Sequence, residues 1–185
     1  MIYFTSDLHF GHKNIINACR RPFHSVENME KLLIMNWNEL VTPKDDVWIL
    51  GDFSFAKKAK TAEIAWKLNG HKKLVRGNHE HESNAFYSSI FEEVYDFGKE
   101  IKVLHPETNA TQRIVLCHYP LKTWNGSHYG SWNLHGHSHG SLKDDGKSLQ
   151  HDVGVDVNGY YPISLARVAK IMANKTFVPV DHHGM

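Results

Sequence analysis

Five short clusters of ligand-type side chains punctuate this 185-residue chain: Asp7-Leu8-His9, Gly51-Asp52, Gly77-Asn78-His79-Glu80, Cys117-His118 and Gly136-His137-Ser138-His139. An Asn side-chain oxygen is a hard, neutral ligand, and an adjacent imidazole that is not tied to a cation can transfer a proton. Carboxylate, imidazole and amide donors without thiolates select hard to borderline divalent cations such as manganese, iron or zinc. A single structural ion is satisfied by four donors, whereas these clusters offer seven: Asp7, His9, Asp52, Asn78, His118, His137 and His139. Two neighbouring cations clamp the attacking and leaving oxygens of an in-line phosphoryl displacement, so the expected chemistry is hydrolysis of a phosphate ester. Singly, Asp7 or Asp52 would pass for a turn carboxylate and His118 for a core histidine; the reading rests on the ordered set.

Such clusters need backbone that delivers them and then stops. Residues 2–6 are β-prone and end at Asp7; 47–50 form an apolar run suited to a strand buried on both faces; 72–76 lead into Gly77. The Asp7-x-His9 spacing is expected to place both side chains on one side of an extended backbone. Between the strands, a short helix runs through Ile15, Ile16 and Ala18 and ends ahead of Pro22. Ser25 caps a second helix with Met29, Leu32, Leu33, Trp37, Leu40 and Val41 at three- and four-residue spacing. A third spans 57–69, with Ala62, Ala65 and Trp66 inward and Gly70 as its C-terminal cap. Donors at the C-terminal ends of alternating strands are where open α/β sheets place their chemistry. The second half predicts strands over 93–104 and 112–117, a loop over 120–130, a short strand over 132–135 that carries His135, a strand over 153–157, and a helix capped by Ser164.

Composition narrows the class. Length and a hydrophobic content of 41% suit one core, hence a single domain over 1–185. Net charge is +1 with the basic residues dispersed, so there is no footprint for extended nucleic acid. Histidine is in excess, at 15 residues, as coordination or proton transfer would require. Cys19 and Cys117 form no C-x-x-C pair, which disfavours a disulfide framework or thiolate zinc site and suits a reducing, cytoplasmic setting. No apolar run has membrane-span length, no signal-peptide core precedes Asp7, and the stretch 181–185 reads as a loose tail.

In this order, Asp-x-His, Gly-Asp, Gly-Asn-His-Glu, a lone His after a strand, and Gly-His-x-His resemble the calcineurin-like metallophosphoesterase family. Tyr3-Phe4-Thr5-Ser6-Asp7-Leu8-His9-Phe10-Gly11-His12 and Val153-Gly154-Val155-Asp156 are similar to its small bacterial and phage-encoded members. The resemblance covers Asp7 to Asp156 and implies a four-layer α/β/β/α sandwich, two mixed β-sheets flanked by helices. It implies one cation on Asp7, His9 and His139 and a second on Asn78, His118 and His137. Asp52 would bridge them together with a nucleophilic hydroxide, and the ions would be manganese, or else iron, zinc or nickel. His79 would protonate the leaving oxygen, and Glu80, where many relatives have Asp, would hold its ring. His12, Asn14, Arg20, Arg76 and His128 are candidate donors to the substrate phosphate, while Trp124 and Tyr129 either stack a base or cover the core. The implied activity is a phosphodiesterase acting on a small or nucleotide-like phosphate ester. The alternatives are a phosphomonoesterase and a non-catalytic, metal-stabilised binding module, and a homodimer is left open.

Overall fold

Val47, Trp48, Ile49 and Leu50 are all buried because β2 (Asp46–Leu50) has an apolar layer on each face. A computed structural model describes residues 1–180; the tail at 181–185 lies outside the described residues. β2 sits parallel between β1 (Ile2–Thr5) and β3 (His71–Val75). β4 (Glu93–Tyr95) extends this sheet beside β3, and β9 (Ile163–Ser164) closes its other edge antiparallel to β1. A second sheet runs in the order β5 (Gly98–Leu104), β6 (Thr111–Cys117), β7 (Trp132–His135) and β8 (Gln150–Asp152). Its first pair is antiparallel and the others are parallel.

Side chains alternate across a strand, so the first sheet feeds two cores. Tyr3, Val47, Ile49 and Leu74 pack with Met29, Leu33 and Trp37 of α2 (Val26–Leu40) and with Ile64 and Ala65 of α3 (Lys58–Lys67). Phe4, Trp48, Leu50 and Val75 face Ile114, Leu116, Trp132 and Leu134 of the second sheet, joined by Val168, Ala169 and Met172 of the helix Leu165–Ala173. The result is the α/β architecture of two mixed sheets flanked by helices. Ser25 accepts the Asn28 N–H at 3.2 Å and Ser164 that of Arg167 at 3.3 Å, the two N-caps expected, each contributing about 1 kcal/mol.

Several local expectations are corrected. Ala62 and Ala65 of α3 face inward as expected, but Trp66 is 72% exposed and the buried stripe is completed by Thr61 and Ile64 instead. α3 stops at Lys67 with Leu68 as its cap, and Gly70, at φ +90°, serves the turn into β3 instead. The single strand expected over 93–104 is two strands in different sheets. Gly98 allows the crossing, since a Cβ there would sit 2.9 Å from the Leu116 carbonyl. Residues 153–157 are not a strand. After β8 the chain turns, and Asn158 Nδ2 donates to the carbonyls of Asp152 and Gly154, which swings Asp156 toward the clustered histidines. Both cysteines are free, and among the described residues no helix is long and apolar enough to cross a membrane.

Candidate active site

The loops that follow β1, β2, β3, β6 and β7 meet at one edge of the paired sheets and bond to one another. Asp7 N–H donates to Gly51 O at 3.1 Å, His9 N–H to Asp52 O at 2.9 Å, and Gly136 N–H to His118 O at 2.9 Å. Asp7, His9, Asp52, His137 and His139 all have φ between +46° and +67°, a region costly to any residue with a Cβ. Asp7-x-His9 is therefore not extended, as the spacing had implied; two left-handed residues bring carboxylate and imidazole together. At roughly 1–2 kcal/mol per residue, this strain persists only where surrounding contacts over-determine it. Gly136 is required by space: a Cβ there would lie 1.8 Å from Ser6 Oγ and 2.5 Å from Asp7 Oδ2. At Gly77 it would lie 2.4 Å from Asp52 Oδ1, so the Asn78 loop can close over Asp52 only as glycine.

Two sets of lone pairs result. Asp7, His9 and His139 bring ligand atoms within 4.8 Å of one another, as do Asp7, Asp52 and His118. In the first set His9 Nε2 is buried without a hydrogen-bond partner and lies 3.5 Å from Asp52 Oδ2. His139 Nδ1 bonds Asp156 at 2.7 Å, which leaves Nε2 facing Asp7 Oδ1 at 3.9 Å. In the second set His118 Nδ1 donates to the Leu50 carbonyl at 2.7 Å, so its Nε2 is a lone pair, 3.0 Å from Asn78 Oδ1. His137 Nδ1 lies 3.1 Å from that oxygen and 3.2 Å from His118 Nε2. Asp52, a member of the second set, also reaches the first, with Oδ2 toward His9 and Oδ1 toward His118 at 3.7 Å. An orphaned imidazole nitrogen and a lone pair aimed at an amide oxygen are what a divalent cation would satisfy, so these residues fit such an ion.

Electrostatics agree. Burial pushes Asp7 up to about 8 and raises Asp52 and Glu80, while burial pulls His9 well down and His118 down to about 4. Burial works downward on His139 too, yet its hydrogen bond to Asp156 and the nearby Asp7 leave it raised. His139 apart, carboxyls and imidazoles that resist charge are what low-dielectric ligands look like before a cation reverses the balance.

Glu80 acts otherwise than expected. Its carboxylate does not reach the His79 ring; it accepts the N–H groups of Asp52 at 2.9 Å, Phe53 at 2.7 Å and Gly77 at 2.6 Å, lacing two ligand loops together. His79 N–H donates to Asp52 Oδ1 at 3.1 Å, and His79 Nε2 lies 3.9 Å from Asp52 Oδ2. His12 is at the site, its Nδ1 3.3 Å from that of His9. Of the other candidate phosphate donors, Arg76 is engaged elsewhere. Arg76 bonds Asn84, Asp96 and the carbonyls of Glu80 and Glu82, bracing its own loop. Asn14 and Arg20 are exposed, the first on α1 (Lys13–Ala18) and the second just after it. His128 lines a separate cleft with Gln112, Arg113 and Asn125, its ring tilted against that of the exposed Tyr129. Trp124 packs on the inter-sheet core, and His135 is buried at the end of β7, bonded to the Gly136 carbonyl.

Sequence reasoning missed Arg21, the residue before Pro22 where the first helix was expected to end. It is buried, grips Asp156 with Nε and Nη2 at 2.8 Å each, and donates to the carbonyls of Asp7 at 2.7 Å and Leu8 at 3.2 Å. Asp156 in turn holds His139. The pair is separated by 135 residues, so only the charged residue ending Val153-Gly154-Val155-Asp156 hinted at it. Cys19 lies near His139 and Asp156, but that carboxylate is already committed to Arg21 and His139.

Comparison with known proteins bears on the same residues. The family model described as calcineurin-like phosphoesterase matches residues 1–177. The chain belongs to this family. Calcineurin-like phosphoesterases are metal-dependent phosphoester hydrolases that use divalent cations, and both donor sets lie within the matched residues. The chain is 37% identical to the uncharacterized protein MJ1445 of Methanocaldococcus jannaschii, over 92% of this chain and 90% of that one. It is 31% identical to the Gene 66 protein of Mycobacterium phage L5, over 80% and 74% of the two chains. The crystal structure of a protein of unknown function, AQ665 from Aquifex aeolicus, superposes with a TM-score of 0.71 at 28% identity, covering 92% of this chain and 98% of that one.

Proposed function

We propose that this calcineurin-like phosphoesterase is a dinuclear enzyme that hydrolyses a phosphodiester of small or nucleotide-like character. Asp52 carries the reading: its two carboxylate oxygens face different donor sets, as a bridge between two ions must. Asp7, His9 and His139 would hold one cation, and Asn78, His118 and His137 the other. Manganese suits this hard nitrogen and oxygen set, with iron, zinc or nickel as alternatives. Bound cations would supply a water of lowered pKa and neutralise phosphate charge. His79 sits outside both sets, 35% exposed at its side chain beside Asp52, and would give a proton to the leaving oxygen. A diester is favoured because an alkoxide leaving group gains most from such an acid.

The test uses metal-stripped protein given manganese, nickel, iron or zinc, with matched chromogenic diester and monoester substrates. Asp52→Ala should abolish turnover. His79→Ala should slow an alkoxide leaving group by roughly 10²–10⁴-fold and a nitrophenolate far less. Equal losses for the two leaving groups would remove His79 from the acid role, and monoester preference would redirect the substrate search.

A further inference from the structure

Phe55 is a phenyl ring that the fold did not bury. It belongs to neither hydrophobic core and stays 38% exposed, yet its position is fixed. Its N–H donates to the Phe10 carbonyl at 2.8 Å, and Ser54 beside it bonds that carbonyl and Thr61. The ring stacks on His12, 3.8 Å between centroids at 18°, and lies 4.5 Å from the His79 ring and 5.3 Å from that of His9. One face is therefore covered by the His12 imidazole, and the ring, in part exposed, is a direct neighbour of His79. A held but uncovered aromatic face disfavours the free protein and stabilises a complex in which a flat apolar group covers it. In the hydrolysis proposed above, the group next to His79 is the departing alcohol.

We propose that Phe55, backed by His12, is a stacking subsite for a planar aromatic leaving group, so that the preferred diester expels a nucleoside or comparable aryl-bearing alcohol. The inference rests on the diesterase reading for its kinetics, but not for its binding. Stacking of one base on an aromatic side chain is sequence-tolerant, because every base has a π-face.

Two diesters that share the retained group and have leaving alcohols of matched basicity, one a nucleoside and the other a plain alkyl alcohol, separate stacking from acid catalysis. In Phe55→Ala the ratio of kcat/KM for nucleoside ester over alkyl ester should fall roughly 10–100-fold, the range one stacked base supports. Phe55→Tyr should restore the ratio and Phe55→Leu should not. A fall in both kcat/KM values that leaves the ratio within twofold of the parent would make Phe55 a support for His79 and overturn the subsite. Saturation-transfer NMR with free nucleoside and metal-free protein gives a second readout: transfer to base protons, lost in Phe55→Ala. No transfer in the parent would also overturn it. Parent protein that cleaves neither diester but shows this transfer would refute the diesterase reading alone.

Discussion

Replacing Glu80 by Gln keeps its shape and removes one acceptor from a place that needs three. Two carboxylate oxygens, almost wholly buried, face three backbone N–H donors, from Asp52, Phe53 and Gly77. The least damaging amide orientation keeps the oxygen toward Asp52 and Gly77, and turns the NH₂ against the Phe53 N–H at the 2.7 Å position. One charge-assisted bond is lost and one buried donor is orphaned, a cost of about 2–4 kcal/mol. For a chain of this length each kcal/mol moves Tm by about 2–4 °C, so metal-free Glu80→Gln should melt about 10 °C below the parent. The two laced loops carry Asp52 and Asn78, so cation affinity measured by calorimetry should drop roughly 10–100-fold, as for other groups that orient ligands. Glu80→Asp keeps the charge but shortens the reach by one methylene, and should fall between the two. A Glu80→Gln protein melting within 2 °C of the parent, with unchanged cation affinity, would refute the lacing role.

Asp156→Asn should weaken cation binding by about 10–100-fold through loss of the His139 support and leave Arg21 buried against a neutral partner; isothermal titration reads the first and urea unfolding the second. Gly136→Ala drives a methyl into Ser6 and Asp7, and should cost more than about 3 kcal/mol or displace Asp7 enough to abolish cation binding, checked by unfolding and metal content. Metal-free stability should peak near pH 6.5. Asp7, held at about 8, keeps its proton when folded but ionises when unfolded above pH 3.8, so rising pH favours the unfolded chain until pH 8. His9 and His118, held neutral by burial, instead favour unfolding as pH falls below 6.5. From pH 6.5 to 8 Asp7 alone removes roughly 2 kcal/mol, and saturating manganese should abolish that slope. Urea unfolding across this range, flat without metal, would contradict the burial of Asp7.

Chemistry on this chain could be read locally because its donors come as dense, short clusters. Gly51-Asp52 and Gly136-His137-Ser138-His139 point to ligands as members of an ordered set, and the apolar run 47–50 announces a strand with both faces covered. The order of clusters at strand ends was enough to point to one site, and Ser25 and Ser164 marked two helix starts by their capping hydroxyls. What escaped was whatever depends on partners distant in the chain. Trp66 lies outside because the stripe α3 presents is chosen by the sheet it meets, not by its bulkiest side chain. Glu80 looked like a neighbour of His79, yet its oxygens go to backbone donors, two of them more than twenty residues away. Arg21 and Asp156 are unremarkable in their own segments and meet only when the turn after β8 packs against the end of α1. The left-handed backbone at Asp7, His9, Asp52, His137 and His139 opposes local preference. Only hydrogen bonds between loops, closed by the whole fold, hold five such residues in place, and no local pattern encodes them.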